Sequence, residues 1–256
     1  MLKQILLIII CLQSFLFAHC DGCGNHEHES GNMLVGNVKY EGKIPKPRLL
    51  KMDADPVCGA AHENRVLSES FIVDTDMNLK NVLVWLKDVK YDGPPSTETA
   101  ILDQQGCVYH PHVLGVQKGQ KVLIKNSDAT LHNIHSMAKV NDQFNFAMPK
   151  VVKEKETVFN NVEEPFYIKC DVHPWMKSWV LVQDHPYYAV TDSEGNFKIE
   201  NIPEGTYTVQ FWQERLSRLN AEDYIIESNT IEVKIVDDKV SNIDFAFNKP
   251  KKHPKN

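Results

Sequence analysis

No stretch of this 256-residue chain sustains an apolar repeat of helical period over a dozen residues. A helix bundle is therefore excluded, and burial has to come from strands. Short alternating runs recur instead at 34–40, 66–73, 81–89, 113–116, 121–125, 157–162, 166–170 and 178–182. Turn residues punctuate them: Gly42, Pro45 and Pro47 after the first run, and Asp92-Gly93-Pro94-Pro95-Ser96 after the third. Beyond Asp184-His185-Pro186 the order is strand, Asp/Gly turn, strand, Pro/Gly turn, strand over 189–212, with a last hairpin over 231–247. One short helix is expected at 214–223, where Leu216, Leu219 and Ala221 sit among polar residues. The reading is all-β.

The chain is 42% hydrophobic and 24% charged, enough to bury a sizeable core without disulfides. Its net charge is −6; Lys3 is the one formal charge before residue 20, so the remainder stands at −7. That balance argues against nucleic acid and offers anionic membranes no basic patch. Residues 1–19 read as an export signal: Lys3, then two apolar runs, then Ala18 near a cleavage point. The mature chain is expected to hold no transmembrane helix. Lipid attachment at Cys20 is a second reading, with His19 standing where a small residue is expected. Either route leads to the periplasm or cell envelope, where disulfides persist.

Six cysteines are present, and Cys11 lies in the signal. Counting leaves the pairing of the others open; Cys58 with Cys107 is the pair expected if a disulfide forms. Residues 20–33 are polar and aperiodic and read as a flexible tail, in which Cys20, Cys23, His26 and His28 are candidate accessory metal ligands. Gly24 after Cys23 excludes haem attachment. Residues 249–256 are basic and expected to be disordered.

The stretch richest in chemistry is Cys170-Asp171-Val172-His173-Pro174-Trp175-Met176, with the order Cys-x2-His-x2-Met. A thiolate, an imidazole and a thioether are ligands for a soft or borderline metal, copper above all. A trigonal His2Cys set with a long axial Met is the blue-copper electron-transfer site. The second imidazole is expected from the segment His132-Asn133-Ile134-His135. Alternation places Phe166, Ile168 and Cys170 on one, core-facing side of their strand. Pro174 stiffens the loop and brings no competing N–H. Asn133 is a candidate hydrogen-bond partner for the Cys170 loop. His135 competes with His132, Met137 and Met148 with Met176 as sulfur donors, and His110 with His112 forms a candidate second metal pair beside Cys107. His62 and His185 read as surface residues, and Trp175 as a cover for the metal or as packing.

Residues 97–183 resemble the cupredoxin family, and the 170–176 loop is most similar to that of amicyanin, including its His-Asn-x-His segment. The resemblance implies a Greek-key sandwich holding one type 1 copper on His132, Cys170, His173 and Met176. It also implies a redox protein as partner, such as a cytochrome or dehydrogenase. Thr191-Asp192-Ser193-Glu194-Gly195-Asn196-Phe197 and Pro203-Glu204-Gly205-Thr206-Tyr207 resemble a second family, the carboxypeptidase regulatory-like (transthyretin-like) sandwich, expected over 186–248. Gly36-Asn37-Val38 and Asn81-Val82-Leu83-Val84 resemble that family's opening strands, which implies that segment 34–96 is part of the same sandwich and that the copper module is an insertion in it. Residues 46–76 depart from its pattern. Copper storage or delivery is the alternative function. An enzyme of the multicopper oxidase or nitrite reductase kind is disfavoured, because Lys169 and Asp171, not histidine, flank Cys170.

Overall fold

The computed structural model describes residues 31–254, apart from Ile226 and Asp238. The expected signal, the candidate lipid site at Cys20 and the candidate ligands Cys20, Cys23, His26 and His28 lie outside the described residues. Period-two patterning becomes strands from the start. The chain enters on β1 (Met33–Glu41), makes one helical turn, α1 (Pro56–Ala60), and a short hairpin, β2 (Ile72–Val73) with β3 (Leu79–Lys80), before β4 (Leu83–Lys87). Nine strands follow: β5 (Ala100–Gln105), β6 (Val108–His110), β7 (Val113–Gln117), β8 (Lys121–Asn126), β9 (His132–Ser136), β10 (Asn145–Met148), β11 (Glu154–Val158), β12 (Glu163–Lys169) and β13 (Lys177–Gln183). The return is through β14 (Tyr188–Val190), β15 (Asn196–Ile199), β16 (Gly205–Trp212), β17 (Tyr224–Ile225), β18 (Thr230–Ile235), β19 (Val240–Asn242), β20 (Phe245–Asn248) and β21 (Lys251–Lys252).

The nine central strands form two sheets, ordered β10-β9-β12-β13-β7 and β11-β8-β5-β6. Leu102, Ile124, Ile134, Phe166, Ile168 and Val180 fill the space between them. The flanking strands form a second pair, β15-β1-β19 with β20 also on β1, and β14-β4-β16-β18. Their core holds Val38, Val84, Leu86, Val209, Phe211 and Val233. The first sandwich is thus inserted between β4 and β14 of the second.

Leu83, Trp85, Val113, Trp179, Leu181 and Trp212 form a third buried cluster where the two sandwiches meet. This explains why β4 and β13 read as nearly unbroken apolar runs. Val84 and Leu86 face one core while Leu83 and Trp85 face the joint; on β13, Val180 and Val182 face inward while Trp179 and Leu181 face the joint. Gly115 on β7 belongs to the same contact: a Cβ there would stand 2.5 Å from the Tyr188 ring.

Three local expectations are corrected. Residues 214–223 form turns, not a helix. The Gln213 carbonyl accepts from Ser217, its side chain accepts from Arg215 and Leu216, and the Asn220 side chain accepts from Glu222. Such local side-chain bonds compete with helix continuation. In the tail, Lys251 and Lys252 pair with Ile225 and Tyr224, so this part of 249–256 is an edge strand. His185 is buried, stacked 5.5 Å from the Tyr187 ring.

Candidate metal centre

After a register shift between Glu163 and Phe166, the β12–β13 hairpin keeps register from Phe166 opposite Val180 to Lys169 opposite Lys177, leaving 170–176 as its loop. The loop is closed by the Met176 N–H donating to the His173 carbonyl (2.9 Å) and the Cys170 N–H donating to the Met176 carbonyl (3.3 Å). Cys170 continues the inward face of Phe166 and Ile168 and joins their core. On β9, one strand away, His132 shares a face with core residue Ile134. His135 lies on the opposite face, as strand alternation requires, and its Nδ1 is 2.8 Å from Asp171 Oδ2.

His132, Cys170, His173 and Met176 are 0, 1, 2 and 1% exposed. The two imidazoles meet Nδ1 to Nδ1 at 2.9 Å, and Cys170 Sγ lies 3.8 Å from His173 Nδ1. One ion with bonds of roughly 2.0–2.3 Å spans such separations. Each far nitrogen is committed elsewhere. His132 Nε2 donates to Asp128 Oδ2 (2.8 Å), and His173 Nε2 donates to Asp55 Oδ2 (3.0 Å). With the proton held there, both Nδ1 lone pairs face the same space as the sulfur, so the donor set fits copper.

Asp55 caps α1, accepting from the N–H of Val57 (2.8 Å) and Cys58 (3.3 Å), with Pro56 at the first helical position. Asp128 accepts from the N–H groups of Gly106 (2.7 Å) and Cys107 (2.8 Å). Those two residues, with φ of +63° and +57°, form the two-residue β5–β6 turn. A disulfide joins Cys58 to Cys107. Neither aspartate was marked by the sequence reading. Asp128 had a faint signal, four residues before His132. Asp55 stands 118 residues from His173, within the stretch that fits neither resemblance.

The other sequence candidates divide. Asn133 spans the β9 strand and the loop: its N–H points at Cys170 Sγ (3.5 Å), and its Oδ1 accepts from the Asp171 N–H (2.6 Å). Pro174 is exposed at the loop tip. Trp175 stacks obliquely on His173, ring centroids 5.0 Å apart, and donates its indole N–H to the Cys107 carbonyl (2.9 Å), serving as cover and packing together. Met148 is buried in the core with its sulfur 3.2 Å from Gln104 Nε2, and Met137 is half-buried. His112 Nε2 is taken by Glu214 (2.8 Å) and His110 is exposed, so that pair does not converge. His62 is half-buried on the Gly106 carbonyl (2.7 Å).

Burial pushes the Cys170 thiol up, but hydrogen bonds from His132 and from the N–H groups of Asn133, His173 and Val172 outweigh it and leave the pKa below its usual value. Burial lowers His132, yet Asp128 and Cys170 carry it up to about 9 in the metal-free protein. Asp55 and Asp128 both stay below the usual carboxylate range: burial raises them, and the facing histidines with backbone N–H groups more than offset it. Because the folded His132 pKa lies above its ordinary 6.5, the metal-free fold keeps this stabilisation below pH 6.5 and loses it as pH rises through about 9. Metal needs the opposite protonation state. Copper affinity is therefore expected to rise about tenfold per pH unit from this proton alone, until it levels near pH 9. Chelator competition across that range checks it; a flat profile between pH 7 and 9 would show that binding displaces no proton from His132 there.

Comparison with known proteins gives matches at two levels. The model of the family described as polysaccharide lyase family 4, domain II, matches residues 164–234. No curated protein matches the chain. Among solved structures, a purple cupredoxin from Nitrosopumilus maritimus is 25% identical over 33% of this chain and 99% of its own, with a TM-score of 0.28. A methionine-to-glutamine variant of amicyanin in its Cu(I) form is 24% identical over 33% of this chain and 82% of its own, with a TM-score of 0.30. A copper-containing nitrite reductase from Thermus scotoductus is 19% identical over 38% of this chain and 25% of its own, also with a TM-score of 0.30.

Proposed function

We propose that this chain is an exported type 1 copper protein that carries single electrons between redox proteins and is not itself an enzyme. The observation that supports it is the facing pair of imidazole Nδ1 atoms, 2.9 Å apart, with the Cys170 sulfur beside them and each outer nitrogen tied to a carboxylate. Bound copper would supply a one-electron couple. The chain's own groups do the rest. Asp55 and Asp128 hold the two imidazole tautomers, and the N–H groups of Asn133 and His173 direct positive dipoles at the sulfur and tune the potential. Donors fixed on strand ends and one short hairpin loop have little to rearrange between oxidation states. Met176, buried at the end of the loop, would be the fourth and weakest donor to the ion.

The Cys58–Cys107 bridge favours an oxidising compartment. Among the described residues no helix is long and apolar enough to cross a membrane. The second sandwich, read as regulatory-like, is a platform with no chemistry of its own assigned to it.

Voltammetry of the copper-loaded protein tests the reading. A reversible one-electron wave with copper retained over repeated cycles is expected. Met176→Gln should keep the copper and move the potential by at least about 60 mV, a tenfold change in a one-electron equilibrium. Release of copper at each reduction would make storage or delivery the function instead. The enclosure of the four residues favours retention.

A further inference from the structure

The outer edges of the two imidazoles are covered in the same way. Asp55 holds His173 and the N–H of Cys58; Asp128 holds His132 and the N–H of Cys107. Each bridge cysteine thus hangs from the carboxylate that orients one candidate ligand. Cys58 Sγ lies 3.6 Å from His173 Nε2. Within the sets Asp55, Cys58, His173 and Cys107, Asp128, His132, one ligand atom per residue falls within 4.8 Å of the others. The histidine pair therefore has sulfur on both sides: Cys170 at the inner edge and the disulfide at the outer.

A thiolate is a strong soft ligand, and the bridge withholds two of them. Exchange with an external dithiol releases both. The reductant supplies two electrons and two protons and leaves as its own disulfide, while the Cys58–Cys107 S–S bond becomes two thiols. We propose that this dithiol form is a second metal site, an entry site for Cu(I) at the outer edge of the imidazole pair. The two sulfurs bind the ion, their protons pass to solvent, and copper keeps its oxidation state. The carboxylates of Asp55 and Asp128, each beside one bridge cysteine, offset the cation's charge. Cys58 and Cys107 are as buried as the inner residues, but Cys58 lines a surface pocket with Met52, Asp53, Gly59 and His62, and by this route a dithiol or an ion reaches the bridge before the imidazoles. Exchange with an external disulfide, which takes up two electrons and two protons and leaves as a dithiol, re-forms the S–S bond and withdraws the outer donors behind the ion.

The test uses the full chain with Cys11→Ser, Cys20→Ser, Cys23→Ser and Cys170→Ser, which leaves Cys58 and Cys107 as the only cysteines. The inner thiolate is gone, so the result is independent of the electron-transfer reading. The protein is reduced anaerobically on an immobilised dithiol and titrated with Cu(I) against a chromophoric chelator. One equivalent is expected to bind at least about a hundredfold more tightly than to the disulfide form, with sulfur neighbours in the X-ray absorption spectrum. Equal affinity in both forms would overturn the proposal, as would unchanged affinity after adding Cys58→Ser and Cys107→Ser; the bridge is then only a staple between two loops. A dithiol form that loses its β-sheet circular dichroism also overturns it, because the site requires both folded turns.

Discussion

Cys170→Ser is expected to abolish the intense thiolate-to-copper absorption of the loaded protein and to remove most of its bound copper. The sulfur is the one soft anionic donor in the inner set, and a serine hydroxyl does not ionise to replace it. The fold should survive. The N–H groups of Asn133 and His173, which point at the sulfur from 3.5 and 3.4 Å, still find an oxygen acceptor. The stability change should stay within about 1 kcal/mol. Visible absorption, copper content and a thermal melt on the same sample check all three. A variant that keeps the band would remove Cys170, and with it the type 1 assignment.

Trp179→Ala should produce the largest loss of stability while leaving the colour in place. Trp179 is buried at the joint, its ring centroid 5.3 Å from that of Tyr167 and 4.9 Å from that of Trp212, with the Arg218 guanidinium 4.6 Å from its centroid on one side. Truncating such a residue costs about 3–5 kcal/mol. At roughly 2–4 °C per kcal/mol for a chain of this size, Tm should fall by about 6–20 °C. The indole projects to the joint while Cys170 projects into the first core, so the site geometry is not touched. A loss below about 1 kcal/mol would mean that the two sandwiches do not depend on this contact.

Much of the site was legible because its signals are local. Strand alternation alone placed Cys170 on the side of Phe166 and Ile168. The spacing Cys-x2-His-x2-Met fits one hairpin loop, which needs no information from elsewhere in the chain. The division of the strands into two sheet pairs, with β5 to β13 lying between β4 and β14, rests on pairing between distant segments and not on any local run. The errors were local competitions that a pattern of apolar residues does not encode. At 214–223, side-chain hydrogen bonds from Gln213 and Asn220 outweighed helix periodicity. At Lys251 and Lys252, an available strand edge ordered a basic segment.

The sequence by itself determined the all-β class, the inward face of the thiol and which donor side chains the loop carries, because strand period and loop spacing are properties of neighbouring residues. Only the tertiary structure decided which histidine edge meets the sulfur and what covers the other edge. Asp55 reaches His173 across 118 positions, and Asp128 and Cys107 meet through a turn on another sheet. The partner of a buried imidazole nitrogen is chosen by whichever chain packs against it, and no spacing rule carries that over such separations.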